Sequence, residues 1–273
     1  MAAPSGAGNA YPVQVALFVT CLIDLFRPSA GFAAVKLLEE VGCSVNVPPT
    51  QTCCGQPAYN SGDRETAKDI AKQVIAAFET FPRVIVPSGS CAGMLSKHYP
   101  QLFDPETEPS WHARATGLAS RVRELTAFLA DEARVDFAGR AFPRRVTYHD
   151  SCSSIREAGV ASQPRKLLQS LDGLTLAEMS DRDVCCGFGG TFSIKYPDIS
   201  NAIVTQKLER VIETRADVLT GADLGCLMNI AGKAAREGKP VEIRHIAEIL
   251  AGDLDEPGLC QGDSREIFRA SQE

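Results

Sequence analysis

Cys53-Cys54-Gly55-Gln56-Pro57 in the first half of the chain recurs as Cys185-Cys186-Gly187-Phe188-Gly189 in the second, and the reading of this pair decides the fold. Working outward, Cys21 precedes the first motif and Cys91 follows it, while Cys152 and Cys226 flank the second. Equivalent cysteines lie 131, 132 and 135 residues apart, so eight of the ten cysteines fall on one duplicated pattern. Self-similarity at a nearly fixed offset marks a duplicated structural unit.

The flanking segments correspond as well. Val13 to Val19 and Arg145 to Tyr148 are β-rich runs that each deliver a cysteine just past the strand end. Helical patterns follow at Gly31 to Val41 and Gln163 to Leu171. Second strands (Ser44 to Val47; Leu174 to Met179) lead to the Cys-Cys-Gly turns, and long amphipathic helices follow at Arg64 to Thr80 and Ile199 to Thr214. Third strands, Arg83 to Pro87 and Ala216 to Thr220, precede Cys91 and Cys226. The alternation predicts an α/β fold of two pseudo-repeated Rossmann-like halves, each a mainly parallel sheet with flanking helices and with its cysteines at the carboxyl ends of the strands. Ala113 to Glu132 reads as a connecting helix and Gly139 to Arg145 as a linker, which divides the chain into residues 1–140 and 141–273.

With 273 residues, 44% of them hydrophobic and 23% charged, the chain is long and apolar enough to bury a core without covalent staples, which excludes disorder and fibrous repeats. Ten cysteines are too sparse for a disulfide scaffold. Met1 to Pro12 has no basic residue and no apolar core of a leader, and the longest nearly apolar run, Val15 to Ile23, is about half a bilayer span. The expectation is a cytoplasmic protein without direct membrane insertion, in which clustered cysteines bind metal or do redox work. A net charge of −6 and the lack of any Lys/Arg-rich stripe argue against nucleic acid as a partner.

Four thiolates suit zinc or an iron–sulfur cluster, and each half offers four: Cys21, Cys53, Cys54 and Cys91, then Cys152, Cys185, Cys186 and Cys226. Neither half has the paired C-x₂₋₄-C knuckle of structural zinc sites. Adjacent cysteines diverge on a regular strand, so their joint use needs an irregular loop, and the following glycine permits it. A cluster larger than one ion can meet both sulfurs.

This pattern resembles the duplicated cysteine-rich CCG domain found in heterodisulfide reductase, in the glycolate oxidase iron–sulfur subunit and in anaerobic glycerol-3-phosphate dehydrogenase. From about Val13 to Leu250 it is similar to the lactate utilization protein A family. The resemblance is carried by Leu17-Phe18-Val19-Thr20-Cys21-Leu22, Cys53 to Gly62, Pro87 to Cys91, Cys185 to Ser193, and Gly221 to Ile230. It implies a cytoplasmic iron–sulfur electron-transfer subunit that works with two partners, an iron–sulfur protein and a small companion protein, in oxidation of L-lactate to pyruvate. The broader family closes each motif with C-x-x-C, a fifth cysteine for a non-cubane four-iron cluster. Here the closures are Cys91-Ala92-Gly93-Met94 and Cys226-Leu227-Met228-Asn229, leaving four cysteines per half. That number suffices for an ordinary [4Fe-4S] cluster, one or two in all, with zinc in one half as an alternative. Two other functions remain open: a heterodisulfide or thiol–disulfide-type reductase (or a glycolate oxidase subunit), and a zinc-stabilised assembly protein with no redox role.

Other residues carry weaker signals. Cys43 and Cys260 lie outside the repeat and read as small buried hydrophobes, and Met94 and Met228 as packing residues. His149, beside Asp150 and Cys152, offers a proton relay or an extra ligand, although a hydrogen-bonded loop that shapes the site is the plainer reading. His245, His98 and His112 have less claim. Lys195, Arg156 and Lys97 stand near cysteine loops, where a cation offsets cluster charge or docks a carboxylate, or is simply solvated. Gly187-Phe188-Gly189-Gly190-Thr191 lacks the full G-x-G-x-x-G and a P-loop lysine, so its backbone N–H groups are better suited to sulfur than to phosphate. No flavin or nicotinamide fingerprint and no Ser-His-Asp ordering is visible, so the chain is not expected to oxidise a 2-hydroxy acid alone.

Overall fold

The computed structural model describes residues 13–261; the N-terminal stretch read above for a leader lies outside them. Four strands form the first sheet: β1 (Val13–Leu17), β2 (Cys43–Asn46), β3 (Val84–Val86) and β4 (Val122–Glu124). The second contains β5 (Arg145–Tyr148), β6 (Thr175–Leu176), β7 (Val218–Gly221) and β8 (Glu242–His245). The orders β2-β1-β3-β4 and β6-β5-β7-β8 are the same topology, and every strand pairing is parallel. All strands of a sheet therefore end on one edge. The order reverses between β1 and β3, and again between β5 and β7, and such reversals open a crevice at the carboxyl ends. Cys21 and Cys91 follow the first pair of strands, and Cys152 and Cys226 the second. Among the described residues no helix is long and apolar enough to cross a membrane.

The helices start where local chemistry allows. Pro28 opens Pro28–Glu40, and the Asp63 carboxylate accepts from the Thr66 N–H at 3.1 Å at the head of Arg64–Phe78. One core runs through both halves, joining Val15, Leu17, Leu37 and Leu38 to Val146, Tyr148, Leu167 and Ile249. The halves also exchange cover. The second half's last helix, Ile246–Ala251, packs on Pro28–Glu40, while Leu125–Glu132 of the first half packs on Gln163–Gln169. The buried Glu248 carboxylate joins this seam, accepting from Arg27 Nε at 2.8 Å and Ser29 Oγ at 2.7 Å.

Two expectations needed correction. The segment from Ala113 to Glu132 is not one helix: Pro109–Ala119 ends at Ser120, β4 follows, and a helical turn resumes at Leu125. Arg121 closes the break by donating to Gly117 O at 2.9 Å and Phe81 O at 3.1 Å, while buried Val122 pairs with Val84. A three-residue strand is too short to show alternation in sequence. The strand expected over Leu174 to Met179 shrinks to Thr175–Leu176, prolonged by Ala177 N–H donating to Val146 O at 2.7 Å.

The packing of the seam is testable at two residues. A Cβ on Gly89 would stand 2.8 Å from the Ser154 Cα across the seam, a clash that no rotamer change relieves. Gly89→Ala should cost about 1–3 kcal/mol in denaturant unfolding, and an unchanged midpoint would show a looser seam. Glu124, 3% exposed at the end of β4, is pushed by burial up to about 7. A carboxyl whose folded value lies above its unfolded one stabilises the fold at low pH and loses that contribution as pH rises through the folded value. The stability difference between wild type and Glu124→Gln should therefore shift by up to ~3 kcal/mol in the variant's favour as pH rises from about 4.5 to about 7; a difference independent of pH would refute this.

Candidate metal centres

In the first half, Cys21 opens the helix Cys21–Phe26, whose N-cap Thr20 accepts from Ile23 N–H at 3.4 Å. Cys91 lies on the short helix Gly89–Gly93, capped by Ser88 Oγ, which accepts the Cys91 N–H at 3.4 Å. The Cys53-Cys54 loop turns at Gly55, whose φ of +81° is the left-handed conformation glycine adopts without strain. Buried Tyr99 fixes the loop by donating to Cys54 O at 3.0 Å. Cys21 Sγ stands 3.6 Å from Cys53 Sγ, and Cys54 lies beside both Cys53 and Cys91, so the four cysteines follow one another as a chain of neighbours. Hydrogen bonds from Cys21 and Cys54 hold the Cys53 thiol down to about 3. The bond to Cys53 pushes Cys21 up, and bonds to Cys53 and Cys91 with burial do the same to Cys54. One thiolate thus stands among thiols that release protons when metal binds.

The second group is built alike but lined differently. Cys152 lies beside Cys185, and Cys186 beside both Cys185 and Cys226, near enough for each neighbour to shift the other's titration. Gly187 N–H donates to Cys185 Sγ at 3.3 Å and Phe188 N–H to Cys186 Sγ at 3.5 Å, the sulfur-directed backbone expected of this glycine run. Gly187 has φ +82°, and a Cβ there would stand 2.7 Å from Ser200 O. The bond from Cys185 favours a Cys186 thiolate, but the bond to Cys226 and burial outweigh it and raise the thiol. His149, at the end of β5, lies with one ring atom and the Cys186 and Cys226 sulfurs all within 4.8 Å of one another. Burial, with the nearby Lys207 cation, pushes its imidazole down to about 3, so the ring is neutral. Neither ring nitrogen has a hydrogen-bond partner, which corrects the expectation of a hydrogen-bonded loop histidine.

The two groups meet at the seam. Asp223 occupies the N-cap of Leu224–Arg236, the helix that carries Cys226, yet its side chain makes no bond to its own helix. It accepts instead from Ser88 Oγ at 2.6 Å, Ser90 Oγ at 2.7 Å and Ser90 N–H at 3.0 Å in the first half, and from the Ser151 and Ser154 hydroxyls in the second. The Ser61 and Thr191 hydroxyls, one from each Cys-Cys-Gly segment, are 3.4 Å apart.

Lys195, Arg156 and Lys97, named as possible counter-charges, do not face the sulfurs as buried cations, since all three are exposed. The cation that faces the second group is Lys207, 1% exposed, whose Nζ donates to Asp181 O and Arg182 O at 3.0 Å each. Its pKa is lowered by burial and supported by Cys186, Asp150, Asp183 and Cys185. Sequence reasoning missed it because lysine on an amphipathic helix normally faces water; its signal is position, since the repeat aligns it with the buried Ile75. Asp223 was missed for a similar reason, being an ordinary N-cap residue by type. His245 caps Ile246–Ala251 and is fully satisfied, while His112 Nδ1 donates to the carbonyls of Pro100 and Phe103 and His98 faces Glu157 at 3.4 Å. Cys43 is buried in β2 as expected, but Cys260 is exposed in the C-terminal turn, a correction. Met94 is buried in the core cluster that also holds Cys54 and Cys91, and Met228 packs against the small cluster of Ile23, Ala30 and Leu224.

Thiol sulfur and neutral imidazole are the donors that soft metals and iron–sulfur clusters take, and a buried imidazole without a protein partner is accounted for by such a group. The residues fit it. All ten cysteines are free.

Comparison with known proteins agrees with this architecture. The cysteine-rich domain model named CCG matches residues 15–96 and 146–231. Lactate utilization protein A of Geobacillus thermodenitrificans is 49% identical over 238 residues, 87% of this chain and 98% of that protein. The proteins of that name from Geobacillus kaustophilus and Oceanobacillus iheyensis are each 50% identical over 87% of this chain, covering 98% and 96% of their own lengths. A crystal structure of a hypothetical protein from Helicobacter pylori superposes with a TM-score of 0.60 over 94% of this chain and 51% of its own, at 13% identity, a likeness of fold alone. The chain belongs to the lactate utilization protein A family and carries its CCG cysteine-rich domain twice.

Proposed function

We propose that the chain holds two [4Fe-4S]-type centres, one in each half, and serves as an electron-transfer subunit in a complex that oxidises L-lactate to pyruvate. The observation that carries this reading is that each half brings its four repeat cysteines together on neighbouring loops at the strand-order reversal of its sheet. Cys21, Cys53, Cys54 and Cys91 would hold one centre, and Cys152, Cys185, Cys186 and Cys226 the other. Such a centre supplies one-electron transfer. Oxidation of lactate to pyruvate releases two electrons and two protons, so the partner that meets lactate supplies the hydride acceptor. The substrate is carried over from the relatives' name.

The chain's own residues do the positioning. Backbone N–H groups of Gly187 and Phe188 donate to sulfur and favour the thiolate. Lys207 sets a positive charge beneath the Cys185-Cys186 loop, which favours the reduced, more negative state of whatever binds there. Both groups are flanked by exposed apolar side chains: Leu25, Phe26 and Phe32 after Cys21, and Ile194, Tyr196 and Ile199 after Cys186. Apolar side chains clustered at the surface suit contact with partner proteins. The two partners of the proposal are an iron–sulfur protein and a small companion protein.

Zinc is the second reading, favoured by one observation. The 3.6 Å between Cys21 and Cys53 sulfurs is close to the separation of about 3.8 Å expected for two thiolates on one tetrahedral zinc ion.

Anaerobically purified protein should be brown, contain iron and acid-labile sulfide, and bleach on reduction. Cys54→Ser and Cys186→Ser should each remove about half of the iron and leave the other centre's signal intact. Bleaching by lactate should require the partner subunits. A colourless protein with stoichiometric zinc would overturn the redox reading, and bleaching by lactate with this chain alone would overturn the division of labour.

A further inference from the structure

We infer that His149 is a ligand of the second centre, placing one ring nitrogen on the metal beside the Cys186 and Cys226 sulfurs, and that the first centre has no counterpart; this rests on the two-centre reading above. The ring sits where a ligand must: a nitrogen of His149 and both sulfurs lie within 4.8 Å of one another. The residue is only 2% exposed, and neither ring nitrogen finds a donor or acceptor in the protein. A buried polar group left unpaired destabilises a fold, so a ring held this way calls for a partner that completes it.

A second buried histidine shows that the fold satisfies imidazoles elsewhere. His245 Nε2 donates to Ala222 O at 2.8 Å and Pro87 O at 3.1 Å, and its Nδ1 accepts from Ala247 N–H at 3.2 Å. The backbone around His149 is also held firmly. Its N–H donates to Thr220 O at 2.8 Å, and neighbouring Asp150 receives a bidentate pair from Arg165 at 2.9 and 2.7 Å. Asp150 is therefore committed to Arg165, and the ring alone is left facing the sulfurs.

The repeat supplies the contrast. Cys152 and Cys21 are 131 residues apart, and the same offset places Phe18 opposite His149. Phe18 is fully buried with its ring 5.4 Å from that of Phe78, a position with no donor to offer a metal. With its four cysteines the second centre would then have five protein ligands to the first centre's four, and a neutral imidazole adds no negative charge where a fifth thiolate would.

The test uses the full chain, purified anaerobically, as wild type, His149→Ala and His149→Cys, with X-ray absorption recorded at the edge of whichever metal is present. The wild type should show imidazole scattering, and a reduced iron centre should also show strong nitrogen hyperfine coupling. His149→Ala should lose both features and bind metal at the second centre at least about tenfold more weakly. His149→Cys should regain the metal with sulfur only and a lower potential. An all-sulfur environment in the wild type, or unchanged spectra in His149→Ala, would overturn the inference while leaving the iron–sulfur reading standing. Imidazole on zinc would support the ligand and overturn the iron–sulfur reading instead. A second centre that takes up neither metal would overturn both. If His149→Ala does not fold, the wild-type and His149→Cys spectra decide.

Discussion

The Asp223 carboxylate is the interaction on which the arrangement of both centres depends. Asp223 and Ser88 are 135 residues apart, the offset of Cys226 and Cys91, so they are equivalent positions of the two halves. Each stands at the N-cap of the helix that presents the third cysteine position of its half's repeat, Cys91 or Cys226. Ser88 caps its own helix; Asp223 gives up that bond and reaches Ser88 and Ser90 across the seam. Hydrogen bonds to a charged group contribute about 1.5–3 kcal/mol each, and a buried carboxylate needs several of them to offset its desolvation. The five donors around Asp223 meet that need. In meeting it they fix the loops before Cys91 and Cys226 to one another and to the turn that carries Cys152.

Against that shared frame the two halves have diverged in the lining of their sites. Where the first half has Phe18 and Ile75, the second has His149 and Lys207, all four buried. The turn after Cys54 enters a short helix at once, whereas the turn after Cys186 runs through Gly187, Gly189 and Gly190, each with positive φ. One centre is thus enclosed by hydrocarbon and the other by imidazole, ammonium and backbone N–H groups. On the proposed reading, two centres in such unlike surroundings would differ in potential.

Much of this was legible in the chain. The cysteine offsets defined the two halves, and the strand–cysteine–helix order placed the sulfurs at the carboxyl edge, because parallel strands all end together. Short strands were harder: β4 and β6 are held by pairing and burial contributed by distant residues, which leave no local period. The polar residues that tie the site together were harder still. Lys207 looks like a surface lysine and Asp223 like a routine cap, and only the tertiary structure turns one toward the cysteines and the other toward the opposite half. His149 was visible in sequence, but its want of a hydrogen-bond partner is a property of packing.

Family membership gives a chain of the lactate utilization protein A family with a duplicated cysteine-rich domain, and the placement and lining of its cysteines support the proposal of metal at two linked sites with lactate chemistry left to a partner. The claim that the halves act as one frame is tested most directly by Asp223→Ala in a Cys186→Ser background, where only the first centre loads. The altered carboxylate belongs to the second half, so a merely local role would leave the first centre untouched. Metal affinity at the first centre should fall by about tenfold or more; affinity equal to that of Cys186→Ser alone would contradict the account.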